Sequence, residues 1–386
     1  MDSYACWLYS VQGMGNRRIH ALRNAYLQEC GADPGGFAEA VYRMPESNLR
    51  FLCESAGRNR KSGYGEDLAR RLLKGRALSP SAAVRTAAEA GLSFVSYDEA
   101  AFPARLRSIP DPPYALYYRG ALPEDVPAVA VVGARMCSGY GREQARRFSE
   151  VLAESGVPVI SGMARGIDGI AQRAALRAKG RSWAVLGCGA DLCYPEENRD
   201  LYELLAARGG VLSEYAPGTA PASSLFPARN RLIAGLSELV LLIEARERSG
   251  SLLTCQYALE QGREIMALPG RVCDRLSAGT NALIRDGAGI ASCPEDVLEL
   301  LLGVRRTRED APLEGAQLRV MMLQEPEASL YAALGEKEPC GLSFMLAFAE
   351  RRLRRAVRAE EGMRCLMQLQ LKGLVRETGV GQYERV

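Results

Sequence analysis

The sequence predicts an α/β fold built on a doubly wound parallel β-sheet. From residue 129 onward, short apolar runs alternate with glycine-bearing turns and amphipathic helical segments. Strands that alternate with helices of this length form right-handed βαβ crossovers. The N-terminal part shows helical patterns only, and the C-terminal part shows helices followed by a hairpin. We therefore predict three domains, at residues 1–80, 81–303 and 304–386.

The first domain is predicted to be helical and to contain a short glycine turn. An apolar set at Trp7, Leu8 and Val11 precedes Gly13-Met14-Gly15, and basic residues follow. Such a turn between helices is similar to a helix-hairpin-helix motif, whose backbone amides can hold a DNA phosphate. A tight turn without a ligand is the alternative interpretation. Farther along, the run from Tyr114 to Tyr118 predicts an edge strand beside the main sheet.

The stretch from Phe226 to Thr254 combines features of a ligand-binding edge. Leu239 to Ile243 is an uninterrupted apolar run, which is typical of a central strand buried on both faces of a parallel sheet. The run ends at Glu244, and Ser249-Gly250-Ser251 then opens a new helix. Ligands of open α/β sheets bind beyond the carboxyl ends of the strands, where helix N-termini favour anions.

The last domain follows a charged linker at residues 304–312. Apolar positions at Leu346, Leu353 and Val357 mark one helix, a second helix follows, and the chain then turns at a glycine. This order predicts a small winged helix. Residues 351–386 hold nine lysines and arginines against four glutamates. This basic surface is either a solvated face or a contact for duplex DNA.

Composition and motifs argue against most classes of enzyme. The chain has 11 cysteines without a C-x-x-C pair, and its single histidine is His20. We therefore expect no metal site, no cofactor and no histidine-dependent catalysis. The dinucleotide fingerprint G-x-G-x-x-G and the Walker A sequence are both absent. Asp168 and Glu244 are candidate acids, but we expect Asp168 to cap a helix and Glu244 to orient an arginine.

Hydropathy and charge indicate where the protein is located and how it can bind a charged ligand. The apolar runs are too short to span a bilayer and the N-terminus lacks the pattern of a signal peptide, so we expect a cytoplasmic protein without membrane contact. The net charge is only +3, so binding of a polyanion must depend on local patches. The turns at Ser161-Gly162 and Ser249-Gly250-Ser251 offer amides and hydroxyls for such a ligand. Arginines near them offer forked donors that suit phosphate oxygens.

Taken in order, these turns resemble the DprA (Smf) family of DNA-processing proteins. The resemblance covers about residues 92–300. The matching motifs are VGAR at 132–135, SGYG at 138–141, SGMARGID at 161–168, YP at 194–195, LSEY at 212–215, FPARNRLIAGLS at 226–237, SGSLLT at 249–254 and LPG at 268–270. The resemblance implies a Rossmann-like core with a SAM-like helical domain before it and a winged-helix domain after it.

The same resemblance implies a function without catalysis. It implies a homodimer that binds and protects incoming single-stranded DNA and loads the RecA recombinase onto it during natural transformation. Phe226 offers a ring on which a base can stack, and arginines offer phosphate contacts. The predicted DNA contacts are Gly133, Arg135, Ser138, Ser161, Gly162, Arg165, Phe226, Arg229, Asn230, Arg231, Ser249, Gly250 and Ser251.

Two other functions remain open at this point. The first is a nucleotide N-glycosidase similar to the phosphoribohydrolases, which share this type of sheet. Those enzymes carry P-G-G-x-G-T-x-x-E, whereas the corresponding loop here, Ser249 to Thr254, lacks the glutamate. The second is a duplex DNA regulator that binds through its winged helix.

Overall fold

The computed structural model describes residues 1–31, 34–58, 60–303, 323, 325–334, 339–372, 374–379 and 381–385. The chain forms two compact units, Met1–Val304 and Arg305–Val386. The first unit contains both the helical N-terminal region and the large sheet. The predicted boundary near residue 80 therefore lies inside one compact unit, and the division into three domains stays a prediction.

The N-terminal region is helical, as predicted. Asp2 begins the first helix, because its carboxylate accepts hydrogen bonds from the amides of Tyr4 at 2.9 Å and Ala5 at 3.1 Å. Apolar side chains of these helices pack on Phe94, Tyr117 and other residues of the adjoining sheet. The helices are α1 (Ser3–Ser10), α2 (Asn16–Cys30), α3 (Phe37–Arg43), α4 (Glu46–Ala56), α5 (Tyr64–Gly75) and α6 (Pro80–Glu89).

The large sheet has nine strands in the order β1-β2-β6-β5-β4-β3-β7-β8-β9. The strands are β1 (Ser93–Ser96), β2 (Ala115–Gly120), β3 (Val129–Val132), β4 (Val159–Ser161), β5 (Ser182–Val185), β6 (Gly210–Ser213), β7 (Leu239–Leu242), β8 (Glu264–Ala267) and β9 (Gly289–Ile290). Strands β3 to β9 are parallel, whereas β1 and β2 run antiparallel to their neighbours. The chain winds outward from β3 in both directions, so the predicted doubly wound, Rossmann-like sheet is confirmed.

Two strand predictions have different outcomes. Strand β7 lies between β3 and β8 and is buried along its whole length, as its apolar sequence predicts. Strand β2, however, is not an edge strand. It is covered on its outer side by β1, whose Ser93 pairs with Tyr118. The short β1 segment has only four residues, and its strand character depends on this pairing.

Helices cover both faces of the sheet, as a doubly wound fold requires. Helices α8 and α9 contribute Phe148 and Ala171 to the core on one face. Helices α11 and α12 contribute Leu232 and Ala258 to the core on the other face. The helices of this part of the chain are α7 (Ala104–Arg107), α8 (Gly139–Glu154), α9 (Ile167–Arg177), α10 (Arg199–Arg208), α11 (Leu225–Gly235), α12 (Gly250–Glu260), α13 (Ala278–Arg285) and α14 (Pro294–Leu302).

The second unit has the predicted winged-helix arrangement. Its described elements are α15 (Glu327–Ala333), β10 (Cys340–Gly341), α16 (Leu342–Leu353), α17 (Ala359–Leu371), β11 (Val375–Gly379) and β12 (Gln382–Arg385), with the antiparallel order β10-β12-β11. On α17, Met363, Met367 and Leu371 are exposed, whereas Leu366 is buried. The outward face of α17 therefore combines these apolar side chains with polar ones such as Arg364 and Gln368. The predicted linker at residues 304–312 lies outside the described residues.

Candidate nucleic-acid interface

An open cleft of 620 Å³ lies beyond the carboxyl ends of β3 and β7. These two strands are neighbours from which the chain winds in opposite directions, and such a point is the usual ligand site of an open α/β sheet. The turn after β3, the helix α11 and the start of α12 line this cleft. It brings together eight of the predicted contacts, Gly133, Arg135, Phe226, Arg229, Asn230, Ser249, Gly250 and Ser251.

The turn after β3 is shaped by close backbone packing. A Cβ atom at Gly133 would lie 2.7 Å from Cγ1 of Ile167 and 3.1 Å from the backbone oxygen of Glu244, so only glycine fits there. The N-terminus of α8 follows, and the protein's own Glu244 occupies it. The Glu244 carboxylate accepts hydrogen bonds from the Ser138 amide, at 2.9 Å, and from the Ser138 hydroxyl.

Ser138 consequently has a structural role that its sequence context did not predict. Its hydroxyl oxygen also accepts a hydrogen bond from the Gly141 amide at 3.0 Å, which caps α8. Because a buried carboxylate already fills this helix terminus, we leave Ser138 out of the DNA surface. Glu244 was expected to orient an arginine. It binds the start of α8 instead.

Polar groups of the Ser161-Gly162 turn likewise form hydrogen bonds within the protein. The Ser161 hydroxyl is fully buried and donates to the backbone oxygen of Val131 at 2.7 Å. The Gly162 amide donates to Oδ2 of Asp168 at 3.1 Å. Neither group is available to a phosphate, contrary to the prediction. Asp168 was expected to cap a helix, but it lies within the first turn of α9, and burial raises the pKa of its carboxyl.

Arg229 forms part of the cleft wall, yet only 4% of its surface is exposed. Its guanidinium donates to the backbone oxygen of Gly162 at 3.2 Å and to that of Val185. Burial lowers the pKa of this guanidinium to about 10. Arg229 therefore acts mainly as a buried positive charge behind the cleft, with Asp168 as its neighbouring carboxylate.

Arg231 faces away from the cleft. It makes two hydrogen bonds with the Glu214 carboxylate, at 2.8 and 2.7 Å, and Glu214 in turn accepts a bond from Asn16 of α2 at 2.8 Å. The predicted DNA contact through Arg231 is therefore not supported by its position. Successive residues on a helix are separated by about 100°, so positions 229 and 231 lie on nearly opposite sides of α11.

The aromatic group of the cleft is a stacked pair, in which Tyr194 is exposed and Phe226 is half-buried. The rings of Phe226 and Tyr194 have centroids 5.5 Å apart and an interplanar angle of 22°. The Arg135 guanidinium lies 5.4 Å from the Phe226 centroid. Arg165, near the same pair, is exposed and forms an ion pair with Glu197. Gly162, Arg165, Phe226 and Tyr194 line a small cavity that adjoins the cleft.

Three cleft residues were missed by the sequence interpretation. Tyr194 belongs to the Tyr194-Pro195 motif of the family resemblance, and this motif could have indicated that Tyr194 lies at the site. Arg246 and Arg248 are exposed and line the cleft from the loop between β7 and α12. Both arginines follow the central strand β7 directly in the sequence, and this position predicts that they lie at the ligand-binding edge of the sheet. In the same region, the Asn230 side chain donates to the backbone oxygen of Gly250 at 3.3 Å, and Ser249 caps α12.

The charge of the cleft is strongly one-sided. Arg135, Arg229, Arg246 and Arg248 line it, whereas Asp168 is the one carboxylate among the described lining residues. Within the described part of the chain, no group of three or more histidine, cysteine, aspartate or glutamate side chains could hold a metal ion. The arrangement is suited to an anionic ligand that also presents flat rings.

Comparison with known proteins agrees with this geometry. A family model described as DNA recombination-mediator protein A matches residues 93–302, which is more than half of the chain. The chain belongs to this family. Among relatives of the DprA family, DNA processing protein DprA of Streptococcus pneumoniae is 44% identical over 198 residues, which cover 51% of this chain and 70% of that protein. Protein Smf of a Synechocystis strain is 38% identical over 245 residues and is covered to 62% of its length.

A solved DprA structure also matches this chain. The X-ray structure of DNA processing protein A from Streptococcus pneumoniae superposes with a TM-score of 0.66 and 32% identity, over 78% of this chain and 98% of that one. The predicted family is thereby confirmed. No helix among the described residues is both long and apolar enough to cross a membrane.

Proposed function

We propose that this DprA-family protein binds single-stranded DNA in the cleft beyond β3 and β7. The observation that carries the proposal is the combination of three exposed arginines, one buried arginine, one carboxylate and a stacked aromatic pair in a single open cleft. Arginines neutralise phosphates, and exposed rings stack on the unpaired bases of a single strand. The proposed surface comprises Gly133, Arg135, Arg165, Phe226, Asn230, Ser249, Gly250 and Ser251, together with Tyr194, Arg246 and Arg248.

We propose further that the protein is a binding protein rather than an enzyme. Its two candidate acids are occupied structurally, since Glu244 holds the start of α8 and Asp168 holds the Gly162 amide. A nucleotide N-glycosidase would release free base from nucleoside monophosphates. The expected result of incubating the pure protein with such nucleotides is no release of base, and steady turnover would overturn this part of the proposal.

The wider role is inferred from the family. In this role the protein protects incoming single strands and loads RecA onto them during natural transformation, as a homodimer in the cytoplasm. For the dimer, the structure offers β9, the last strand of the described sheet, where half of the Ile290 surface is exposed. Unpaired strand edges readily pair with another chain. Light scattering should give the mass of a dimer, and Ile290→Asp should lower it to that of a monomer.

Binding in the cleft is tested by fluorescence anisotropy with single-stranded and duplex DNA of equal length. We expect tighter binding of the single strand. Replacing both Arg246 and Arg248 by alanine should weaken binding and reduce the magnitude of the log–log salt slope by about 0.7 for each lost phosphate contact. Arg85→Ala, an exposed change on α6, is the control and should leave both quantities unchanged. An unaltered salt slope in the double variant would show that the loop between β7 and α12 makes no phosphate contact.

A further inference from the structure

A second basic surface lies on the helical N-terminal region. We define it as the hairpin cluster, which comprises Arg18, Arg70, Arg71 and Lys74 around the Gly13-Met14-Gly15 turn. None of these residues lines the cleft described above. We propose that the hairpin cluster binds the phosphate backbone of duplex DNA, in addition to the single strand held in the cleft.

The turn and the arginines form one packed unit. Arg18 donates to the backbone oxygen of Gly13 at 2.7 Å, and Arg71 donates to that of Gln12 at 3.2 Å. Gly13 has a φ of +82°, and a Cβ atom at this position would collide with the Arg71 guanidinium. The two arginines thus bind the carbonyl groups of the turn. Gly15, at the start of α2, faces open space, since a Cβ atom there would have no neighbour within 4 Å.

The cluster carries more positive charge than its neighbours neutralise. One carboxylate, Asp67, faces three guanidiniums, with Arg18 at 3.5 Å, Arg71 at 2.8 Å and Arg70 as the third partner. Three cations and one anion leave a local excess of two positive charges, and the exposed Lys74 adds a third. Arg70 has 74% of its side-chain surface exposed. This excess is available to an external anion.

A groove of 440 Å³ runs along the cluster. Its described lining includes Arg70, Arg71, Lys74, Ser10 and Gln12, and it contains neither a carboxylate nor an aromatic ring. A surface for single strands normally includes rings on which bases stack. The groove combines its cations with small polar and aliphatic residues, including Val11 and Leu78, and offers no ring for stacking, so it suits phosphates whose bases are already paired. Duplex DNA presents such phosphates at regular spacing, so the chemistry of the groove favours a duplex.

The test uses the full-length protein with blunt-ended duplex DNA, which does not supply the unpaired bases that the cleft requires. The variant replaces Arg70 and Lys74 by alanine, because both are exposed and Arg70 has no contact with the turn among its described hydrogen bonds. The charge-matched control replaces Arg50 and Arg85, two exposed arginines on α4 and α6. Anisotropy is measured over a range of salt concentrations, and thermal unfolding is measured on the same samples.

The expected result is weaker duplex binding, with a salt slope that is smaller in magnitude by about 0.9 for each lost contact and about 1.8 for the pair. Affinity for a single strand and the melting temperature should remain as in the parent, and the control should bind both DNAs normally. Unchanged duplex binding would overturn the proposal, and so would an equal loss in the control. A third variant, with Arg351 and Arg352 replaced, tests the winged helix. If only that variant lost duplex binding, the winged helix would be the duplex site.

The cleft variants and the hairpin variants are both measured with single-stranded and with duplex DNA. Each of the two proposals can therefore be contradicted without the other. Loss of single-strand binding in the Arg246 and Arg248 variant supports the cleft whatever the duplex result is. Loss of duplex binding in the Arg70 and Lys74 variant supports the hairpin cluster even if the cleft proposal is wrong.

Discussion

At the residue scale, the role of each arginine depends on whether its charge is already balanced by the fold. Arg135 and Arg246 extend into solvent at the cleft, whereas Arg229 is buried and donates to backbone oxygens. Arg231 donates from both of its terminal guanidinium nitrogens, Nη1 and Nη2, to the Glu214 carboxylate. Only the first kind of arginine can release counterions when DNA binds. The buried kind contributes to stability and to the electrostatic potential of the cleft.

Phe226 tests the stacking part of the site. Phe226→Ala should weaken single-strand binding by roughly 1–3 kcal/mol, because a base loses its stacking partner, and the salt slope should stay nearly constant. Phe226→Tyr keeps a ring and should bind like the parent. If Phe226→Ala lowers only the melting temperature and leaves affinity intact, the ring serves to pack against Gly187 and Tyr194 rather than against DNA.

A substitution of Arg231 tests whether this residue stabilises the fold through a buried ion pair instead of contacting DNA. The side chains of Arg231 and Glu214 are 7% and 6% exposed, so removing one partner leaves a buried, unpaired charge. We expect Arg231→Ala to reduce the free energy of unfolding by about 3–5 kcal/mol without a direct effect on DNA affinity. Arg17→Ala, at an 81% exposed side chain, is the control and should change stability by less than about 0.5 kcal/mol. If Arg231→Ala kept normal stability but weakened DNA binding, Arg231 would have to be assigned to the DNA-binding surface of the protein.

At the scale of elements, α2 is held to the segment before β2 by its histidine. Nε2 of His20 lies 3.2 Å from the backbone oxygen of Pro112, and the imidazole meets the rings of Tyr97 and Tyr114 edge-on. Burial lowers the pKa of His20 below its ordinary value of 6.5, and the nearby Arg23 lowers it further, while the hydrogen bond to Pro112 and the carboxylates of Asp98 and Asp111 act in the other direction.

This environment predicts a pH-dependent stability. As the pH falls below 6.5, the unfolded chain binds a proton at His20 before the folded protein does. The stabilising contribution is therefore complete above 6.5 and is lost as the pH falls through the lowered pKa of the folded state. Denaturant unfolding of the parent and of His20→Gln between about pH 7.5 and pH 5 should show a difference that shrinks with acidification. Parallel pH profiles would contradict the assignment. The chain has one histidine, so no second imidazole contributes.

At the scale of the whole molecule, the proposed DNA cleft belongs entirely to the first compact unit. All of its lining residues lie between positions 132 and 276. The winged-helix unit, residues 305–386, has its own core around Leu330, Met345 and Leu369. The basic residues that the sequence suggested, Arg351, Arg352, Arg354, Arg355 and Arg358, are exposed, and the α17 helix adds three exposed apolar side chains.

Deletion of residues 305–386 should therefore leave single-strand affinity within a small factor of that of the full chain. The measurement is anisotropy at the same salt concentration for both proteins, with circular dichroism as the control for folding. A truncated protein that folds but loses nearly all binding would move the main site to the winged helix and its arginines at 351 and 352. Retained binding would support the cleft.

Much of the architecture was predictable from local patterns in the sequence. The apolar runs ending at Val132 and Ile243 mark buried parallel strands, and glycine-bearing turns after the strands place the ligand edge. These properties depend on residues close together in the chain, because strand burial and turn geometry leave a periodic or compositional trace. The family resemblance had the same basis, since its motifs are the turns themselves.

The tertiary structure alone decided which polar groups remain free for DNA. Ser138 and Ser161 have the sequence context of phosphate-binding turns, yet Glu244 and the Val131 carbonyl already bind them. The interior position of β2 was likewise decided by its pairing with β1. In each case the decisive partner comes from a distant part of the chain. A sequence pattern reports what a side chain can donate or accept, whereas only the fold determines which partner is within reach.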